Sequence, residues 1–326
     1  MKHITILVPN GPNNLTSIVG AYKILTRANE YFVAAGKRTP YKIELAGLSE
    51  QVDYYGGLFA AKPHTHVSAI SKTNLVIIPS LNHNYHNAVK DNLEMIDWIA
   101  KQYARGAEIA SVCTGAYLLA ATGLLDGKMC STHWAVADDF KTMFPKIDLQ
   151  ADKLITDEHG IYTNGGAFSF LNLLIYLVEK YFDRATAIYC SKVFQVEVDR
   201  LSQSEFIIFK GQKLHGDEMV KQAQTYIECN PQEKLSIEHL SAKFAVGRRS
   251  FDRRFIKATG NTPVEYAQRV KTEAAKRAFE SSAKTINEVM YDVGYTDLKA
   301  FREVFRKITG MSPQEYRAKY NKVLAA

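Results

Sequence analysis

The chain has no run of roughly eighteen or more apolar residues, so a membrane-spanning helix is not expected. Nor does the N-terminus read as a signal peptide. Met1 and Lys2 lead into Ile4, Ile6, Leu7 and Val8, a short run that Pro9 and Asn10 end at once. Cysteine is scarce. Cys113, Cys130, Cys190 and Cys229 show no paired metal-ligand spacing, and a reducing, cytoplasmic setting fits them better than a disulfide scaffold. There is no Walker phosphate loop and no dinucleotide-binding glycine fingerprint. The pairs His64/His66 and His83/His86 flank a strand, need not converge, and lack a carboxylate or cysteine to complete a set. Neither a metal nor a cofactor is therefore expected.

The 326 residues suffice for two domains, and their charge is unevenly placed. The net charge is +7. Residues 215–326 hold 20 Lys or Arg against 14 Asp or Glu, so this last third carries nearly all the excess. Such an imbalance points to nucleic acid as a partner of that region.

The first 200 or so residues alternate short apolar runs with longer helical spacing. Strands are expected at 3–8, 41–46, 75–78 and 107–112. Helices are expected at about 16–35, 88–104, through Tyr117 to Leu119, at 168–182 and at 183–196. That alternation predicts an α/β fold with a largely parallel sheet. KGQKLHG at 210–216 is polar and glycine-rich, and suits a linker. From about 217 the chain reads as helices only.

A single pattern occurs twice within that helical region, fifty residues apart. Phe251, Phe255, Lys257, Thr259, Gly260, Pro263, Glu265 and Tyr266 recur as Phe301, Phe305, Lys307, Thr309, Gly310, Pro313, Glu315 and Tyr316. A short helical unit cannot bury its apolar face alone, so a tandem pair is expected to make one domain. In each copy a supporting helix (about 236–243, and around Ile286 to Met290) precedes a second helix (248–258 and 298–307). The second helix carries its two Phe at i and i+4 on one inward stripe. Arg248, Arg249, Arg253, Arg254 and Lys257, then Lys299, Arg302 and Arg306, take the outward side. Such a helix fits the DNA major groove, and arginine can clamp a phosphate or read a guanine edge. A basic helical bundle that binds protein, or nothing, is the alternative.

Residues 235–320 resemble the double helix-turn-helix domain of the AraC family, the arabinose-operon-regulator type. The resemblance rests on G-N-T-P-V-E-Y at 260–266, D-V-G-Y-T-D at 292–297, F-R-E-V-F-R-K at 301–307 and G-M-S-P-Q-E-Y at 310–316. It implies binding of double-stranded promoter DNA. In that family the segments matching 246–254 and 296–303 enter adjacent major-groove regions, which assigns DNA contacts to Arg248, Arg249, Arg253, Lys299 and Arg302. Gly247 departs from the bulkier residue usual at its position.

Nearer the N-terminus, Ile109 to Val112 leads into Cys113, Thr114, Gly115 and Ala116, a strand-to-helix turn with small residues after the cysteine. Such a turn presents a side chain at the sheet's carboxyl edge, and a helix N-terminus there favours a thiolate. His133 follows in S-T-H-W. Brought together, the two would make a nucleophile and its base; otherwise they are a buried cysteine and a structural histidine.

Residues 3 to about 200 resemble the DJ-1/PfpI-type domain, related to class I glutamine amidotransferases, through S-V-C-T-G-A at 111–116, G-L-L-D-G-K at 123–128 and T-H-W at 132–134. The resemblance implies a flavodoxin-like sheet with Cys113 on the elbow and His133 nearby. Where the family commonly has an acidic residue followed by Gly-Pro, this chain has Ser17 and Gly20-Ala21. The missing carboxylate removes a usual partner of the cysteine and favours an effector site over catalysis. Its expected lining is Ser17, His83, Cys113, Thr114 and His133.

Together these readings predict a flavodoxin-like sensor and dimerisation domain at 1–209, a linker at 210–216, and an all-α DNA-binding domain with two helix-turn-helix units at 217–326. The two resemblances imply a regulator that binds promoter DNA as a homodimer, answers a small-molecule effector and influences RNA polymerase. A Cys113-dependent hydrolase with His133 as base, or a redox or electrophile sensor, is the competing expectation.

Overall fold

The computed structural model describes residues 2–37, 41–82, 84–198, 200–233 and 235–321. The chain divides into two compact units, Met1–Gln203 and Ser204–Ala326. The division falls ahead of the expected boundary at 209, and the expected linker at 210–216 belongs to the second unit. The reason is local. Phe209 packs into a helical core and meets the Tyr266 ring edge-on at 5.1 Å.

The first unit is built on a seven-stranded sheet. Its parallel body consists of Lys2–Val8, Tyr41–Gly47, Leu75–Ile78, Glu108–Ser111 and Ile161–Asn164. Counted along the chain, these five lie in the spatial order 2-1-3-4-5, the flavodoxin-like arrangement that was expected. Thr65–His66 extends one edge in parallel, and Ile155–Glu158 closes the other edge antiparallel. The central strand Leu75–Ile78 reads as an unbroken apolar run because both of its faces are covered. Ile4, Ile6 and Val8 face Ile18, Leu25, Leu173 and Leu177 of the helices Leu15–Ala34 and Phe170–Tyr181. Leu7, Val76 and Ile78 face Met95, Ile99, Leu118 and Leu119 of Leu93–Ala104 and Ala116–Ala121.

The single helix expected at 88–104 is two, Tyr85–Lys90 and Leu93–Ala104. Asn92 breaks it. Fully buried, its side-chain amide donates to the carbonyls of Ala88 (2.8 Å) and Asn10 (3.0 Å), and its Oδ1 accepts the Asn10 N–H at 2.8 Å. The backbone leaves helical geometry there so that this side chain can reach across to the loop after the first strand.

The second unit is all helix, with two small cores rather than one. The first gathers Val220, Ile227, Leu240, Phe251, Phe255, Tyr266 and Val270. The other gathers Ala275, Phe279, Val289, Met290, Phe301, Phe305 and Tyr316. One nineteen-residue helix, Pro263–Ser281, contributes to both.

The duplicated motif is the duplicated solution to a helix-turn-helix stop and start. Both Phe pairs are buried, and Gly260 and Gly310 take the left-handed φ (+69° and +78°) that ends each helix. Thr259 and Thr309 donate to the Phe255 and Phe305 carbonyls, each at 2.8 Å. Pro263 and Pro313 start the next helices, where Thr262/Glu265 and Ser312/Glu315 form capping boxes. Both motif tyrosines are buried with hydroxyls on carboxylates, Tyr266 on Glu228 and Tyr316 on Glu280.

Asn92→Ala should destabilise the first unit by about 2–4 kcal/mol, because it orphans buried backbone groups of the loop after the first strand. Chemical denaturation followed by circular dichroism measures this; a loss below about 0.5 kcal/mol would rule out that role.

Candidate nucleic-acid interface and effector cleft

Each repeat sets a short helix before a longer basic one. Ile237–Lys243 precedes Arg248–Thr259, and Ile286–Asp292 precedes Leu298–Thr309. The buried Phe stripes fix which way the basic side chains point. Arg248, Arg249, Arg253 and Lys257 are exposed on the first basic helix, and Lys299, Arg302, Arg306 and Lys307 on the second. All five residues expected at DNA therefore stand on solvent-facing surfaces. Arg254 does not join them, because its guanidinium holds Asp217 with two hydrogen bonds, at 2.8 and 2.6 Å. That fork-to-carboxylate geometry commits it to the fold.

The copies differ where the basic helix begins. Asp297 caps its helix by accepting the Ala300 N–H at 2.6 Å. Gly247, at the matching position, offers no side-chain cap.

In the first unit the turn after Glu108–Ser111 is strained. Cys113 adopts φ +53°, a left-handed conformation that costs a non-glycine residue about 1–3 kcal/mol. Its surroundings hold it there. A Cβ on Gly115 would lie 2.5 Å from the Pro79 carbonyl oxygen and 2.8 Å from that of Ile78, so only glycine lets the turn sit against the neighbouring strand. The Thr132 hydroxyl donates to the Cys113 carbonyl at 3.0 Å.

The thiol is buried, and burial pushes its pKa up, against hydrogen bonds with Ser80 and Thr114 that pull it down. Desolvation thus outweighs the thiolate preference expected of the helix start. His133 lies one residue beyond Thr132 but is engaged elsewhere. Its Nδ1 accepts the Ala135 N–H at 3.1 Å, and burial lowers its pKa. Among the described residues no hydrogen bond joins Cys113 to His133. Ser17, at the position of the missing acid, is buried; it donates to the Asn14 carbonyl (2.7 Å) and accepts the Ser80 N–H (3.1 Å). His83 lies outside the described residues.

These residues stand behind a cleft rather than around it. A cleft of about 600 Å³ opens where the first, second and third parallel strands end, lined by Asn10, Asn13, Gln51, Asp53, Tyr54 and Asn82, among others. This is the switch point of the strand order, between Lys2–Val8 and Leu75–Ile78, where open α/β sheets bind ligands. Its floor is a hydrogen-bond net. Asn82 donates to the Asn13 carbonyl (2.9 Å), and Tyr54 donates to Asn13 Oδ1 (2.9 Å). Burial pushes the Tyr54 hydroxyl pKa up to about 12, so it remains a donor. Thr114 braces this floor from behind. Its hydroxyl donates to the Leu81 carbonyl (2.7 Å) and accepts the Leu81 N–H (2.9 Å), and Leu81 pairs with Asn13.

None of the described residues expected to line an effector site lines this cleft. The missed signals are the turn-forming run Asn10-Gly11-Pro12-Asn13 and Tyr54-Tyr55-Gly56-Gly57, which closes a small hairpin over it. Of the histidine pairs, His64 Nδ1 accepts the Leu45 N–H (2.8 Å), and His66 Nδ1 shares a hydrogen bond with Ser68 (2.8 Å). Among the described residues no cluster is placed to hold a metal ion, and no helix is long and apolar enough to cross a membrane.

A parallel α/β unit with a strained cysteine turn, followed by two basic helix-turn-helix units, defines a two-domain protein with a ligand-sized cleft and a DNA-binding-type output. Comparison with known proteins agrees for each domain. Residues 18–179 match the DJ-1/PfpI family, and residues 240–319 match a helix-turn-helix domain. The chain is 24% identical to the HTH-type transcriptional regulator GbdR of Pseudomonas aeruginosa over 69% of its own length, and spans 61% of that relative. It is 27% identical to the regulator ArgR of the same organism, over 67% of this chain and 66% of that one. Among solved structures, a putative transcriptional regulator protein from Vibrio parahaemolyticus aligns with TM-score 0.54 and 23% identity, covering 59% of this chain and 98% of that one. A ThiJ/PfpI family protein from Pseudomonas syringae aligns with TM-score 0.51 and 21% identity, over 61% and 76%. The chain belongs with the AraC-type helix-turn-helix regulators that carry a DJ-1/PfpI-like N-terminal domain.

Two measurements check the local physics. Gly247→Ser supplies the missing cap in open space and should stabilise the second unit by about 0.5 kcal/mol in thermal unfolding; destabilisation would mean that the bare N-terminus is required by its surroundings. In iodoacetamide labelling of the native chain at pH 7, exposed Cys229 should react first and Cys113 at least about tenfold more slowly. Because burial raises the Cys113 pKa, its rate should climb only above the ordinary thiol range; prompt labelling at pH 7 contradicts the buried assignment.

Proposed function

We propose that the chain is a cytoplasmic transcription regulator that binds promoter DNA through both helix-turn-helix units and takes its signal from a small molecule in the cleft of the first unit. The observation that carries this reading is the duplication itself. Two exposed basic helix faces stand on one sequence pattern, each braced by its own buried Phe pair and a preceding helix. In this reading Arg248, Arg249, Arg253, Lys299 and Arg302 contact DNA, with arginine forks on guanine edges or phosphates and lysine on phosphate. The cleft's volume falls in the range of small-molecule sites, and its convergent amide and hydroxyl groups suit a polar metabolite. The chain acts as a homodimer, which multiplies the affinity of two weakly binding heads, and as an activator it recruits RNA polymerase.

A Cys113-dependent hydrolase or redox sensor is the second reading, favoured by the strained turn that presents Cys113. Burial, the raised thiol pKa and the engagement of His133 with its own turn weigh against it. We therefore infer that the turn acts by shape, not by turnover. Cys113→Ala should keep wild-type DNA affinity and effector response; their loss would restore the thiol to the centre of the mechanism.

The direct test is selection of genomic fragments by the purified chain, followed by titration of the recovered sites across salt concentrations. A shared motif and a steep salt dependence are expected. Arg253→Ala should cost about 1–3 kcal/mol and relax preference at one base, whereas Lys299→Ala should weaken all sites alike and lower the salt slope by about 1. Weak binding with no shared motif sinks the proposal.

A further inference from the structure

Residues 204–211 lie across both halves of the second unit. Glu205 pairs with Lys319 of the last helix, Pro313–Tyr320, at 2.6 Å, and the same ammonium sits 5.4 Å from the centre of the Phe206 ring. The Ile207 carbonyl accepts from Lys276 Nζ at 2.5 Å, and the Phe209 N–H donates to Glu273 at 3.2 Å. The Phe209 ring then packs on Tyr266 of the first core. At Gly211, φ +72°, a Cβ would lie 2.2 Å from the Tyr266 hydroxyl, so the backbone itself runs against that core. Within eight residues the strap touches the second repeat, the shared helix and the first repeat.

Its lock is a buried ion pair. Lys276 and Glu273 stand 2.9 Å apart on the shared helix, 4% and 8% exposed. A helix that only joined two cores would be better served there by apolar residues, since burying two charges costs more than their attraction returns unless further hydrogen bonds complete the set. The strap completes it, with one carbonyl for the ammonium and one amide for the carboxylate.

On roughly the opposite side of the same helix, about 140–160° around by helical geometry, Lys271 makes a second clamp. It is 8% exposed and donates to the Glu233 carbonyl, in the loop that leads into the first repeat (3.0 Å), and to the Val293 carbonyl of the second repeat (2.9 Å). Gly294 permits this approach: a Cβ there would lie 2.1 Å from the Gln232 carbonyl oxygen.

We propose that the strap 204–211, locked by Glu273 and Lys276, and the Lys271 clamp together fix the two recognition helices relative to each other and so set the spacing of the two DNA segments that the chain accepts. Lys271, Glu273 and Lys276 are then positioning residues for DNA recognition, although none faces DNA. The inference rests on the DNA-binding reading above. It also makes the strap, the covalent entry of the chain into this unit, the place where a displacement alters DNA spacing.

The test uses the full chain and randomised duplexes. Wild-type selection should return two sequence blocks at one fixed spacing, and inserting one base pair between them should cost at least about tenfold in affinity, because the linkage of two rigidly held heads is lost. Lys276→Met and Lys271→Met should bind a single block as the wild type does, yet tolerate the insertion with a loss of less than about threefold. Lys276→Arg, which keeps the charge and donors, should restore discrimination. As a guard against misfolding, Lys319→Ala removes an exposed strap contact and should relax spacing in the same direction. If the Met variants and Lys319→Ala, with wild-type circular dichroism and melting, discriminate spacing as the wild type does, the strap proposal is overturned. A wild-type selection that returns no sequence blocks overturns the DNA-binding reading, and this inference with it. Recovery of the blocks at many spacings overturns this inference alone.

Discussion

The second unit depends on the helix Pro263–Ser281 being a member of two cores at once. Its N-terminal half supplies Tyr266, Ala267 and Val270 to one core, and its C-terminal half supplies Ala275 and Phe279 to the other. Cores of this size are marginal alone, because a small domain buries too little of its surface on folding. Sharing one continuous helix lets each core stabilise the backbone hydrogen bonds that the other needs. The arrangement also transmits rotation. A straight helix held at both ends by aromatic packing cannot turn at one end without moving Phe279 against Phe305, or Tyr266 against Phe255.

In the first unit the same role falls to the parallel sheet. Because its strands run the same way, the loops that follow them gather at one edge, and polar residues from three different loops meet as one cleft. The cysteine turn sits one strand along, linked to the cleft through Thr114, Leu81 and Asn13. That chain of hydrogen bonds makes the turn part of the support of the cleft floor, without the thiol entering it.

The architecture was readable in the sequence where one physical rule dominated. Leu75–Ile78 is apolar without alternation because both faces are buried, and the repeated Phe, Gly and Pro marked the helical repeats. The break at Asn92 was hidden, since its partner, Asn10, is far away in sequence and periodicity sees only neighbours. Residues 204–209 read as the end of the first domain and 210–216 as a linker for the same reason; the partners of Phe209 and of the two backbone groups that complete the Glu273–Lys276 pair lie on a distant helix. The cleft was not legible because its residues are not reactive ones. Asn13, Asn82 and Tyr54 carry no chemical signature alone and become a surface only when three strands bring them together. Cys113 was found at the right turn, but its desolvation follows from packing that spacing does not reveal.

The cysteine turn has a further consequence. Its shape is held by Gly115, which admits the backbone of the adjacent strand, and by Thr132, which grips the carbonyl of residue 113. Neither hold involves the sulfur atom. The backbone shape of the turn is thus set by its neighbours rather than by the thiol, so a side chain at 113 small enough for the same buried space leaves the turn standing.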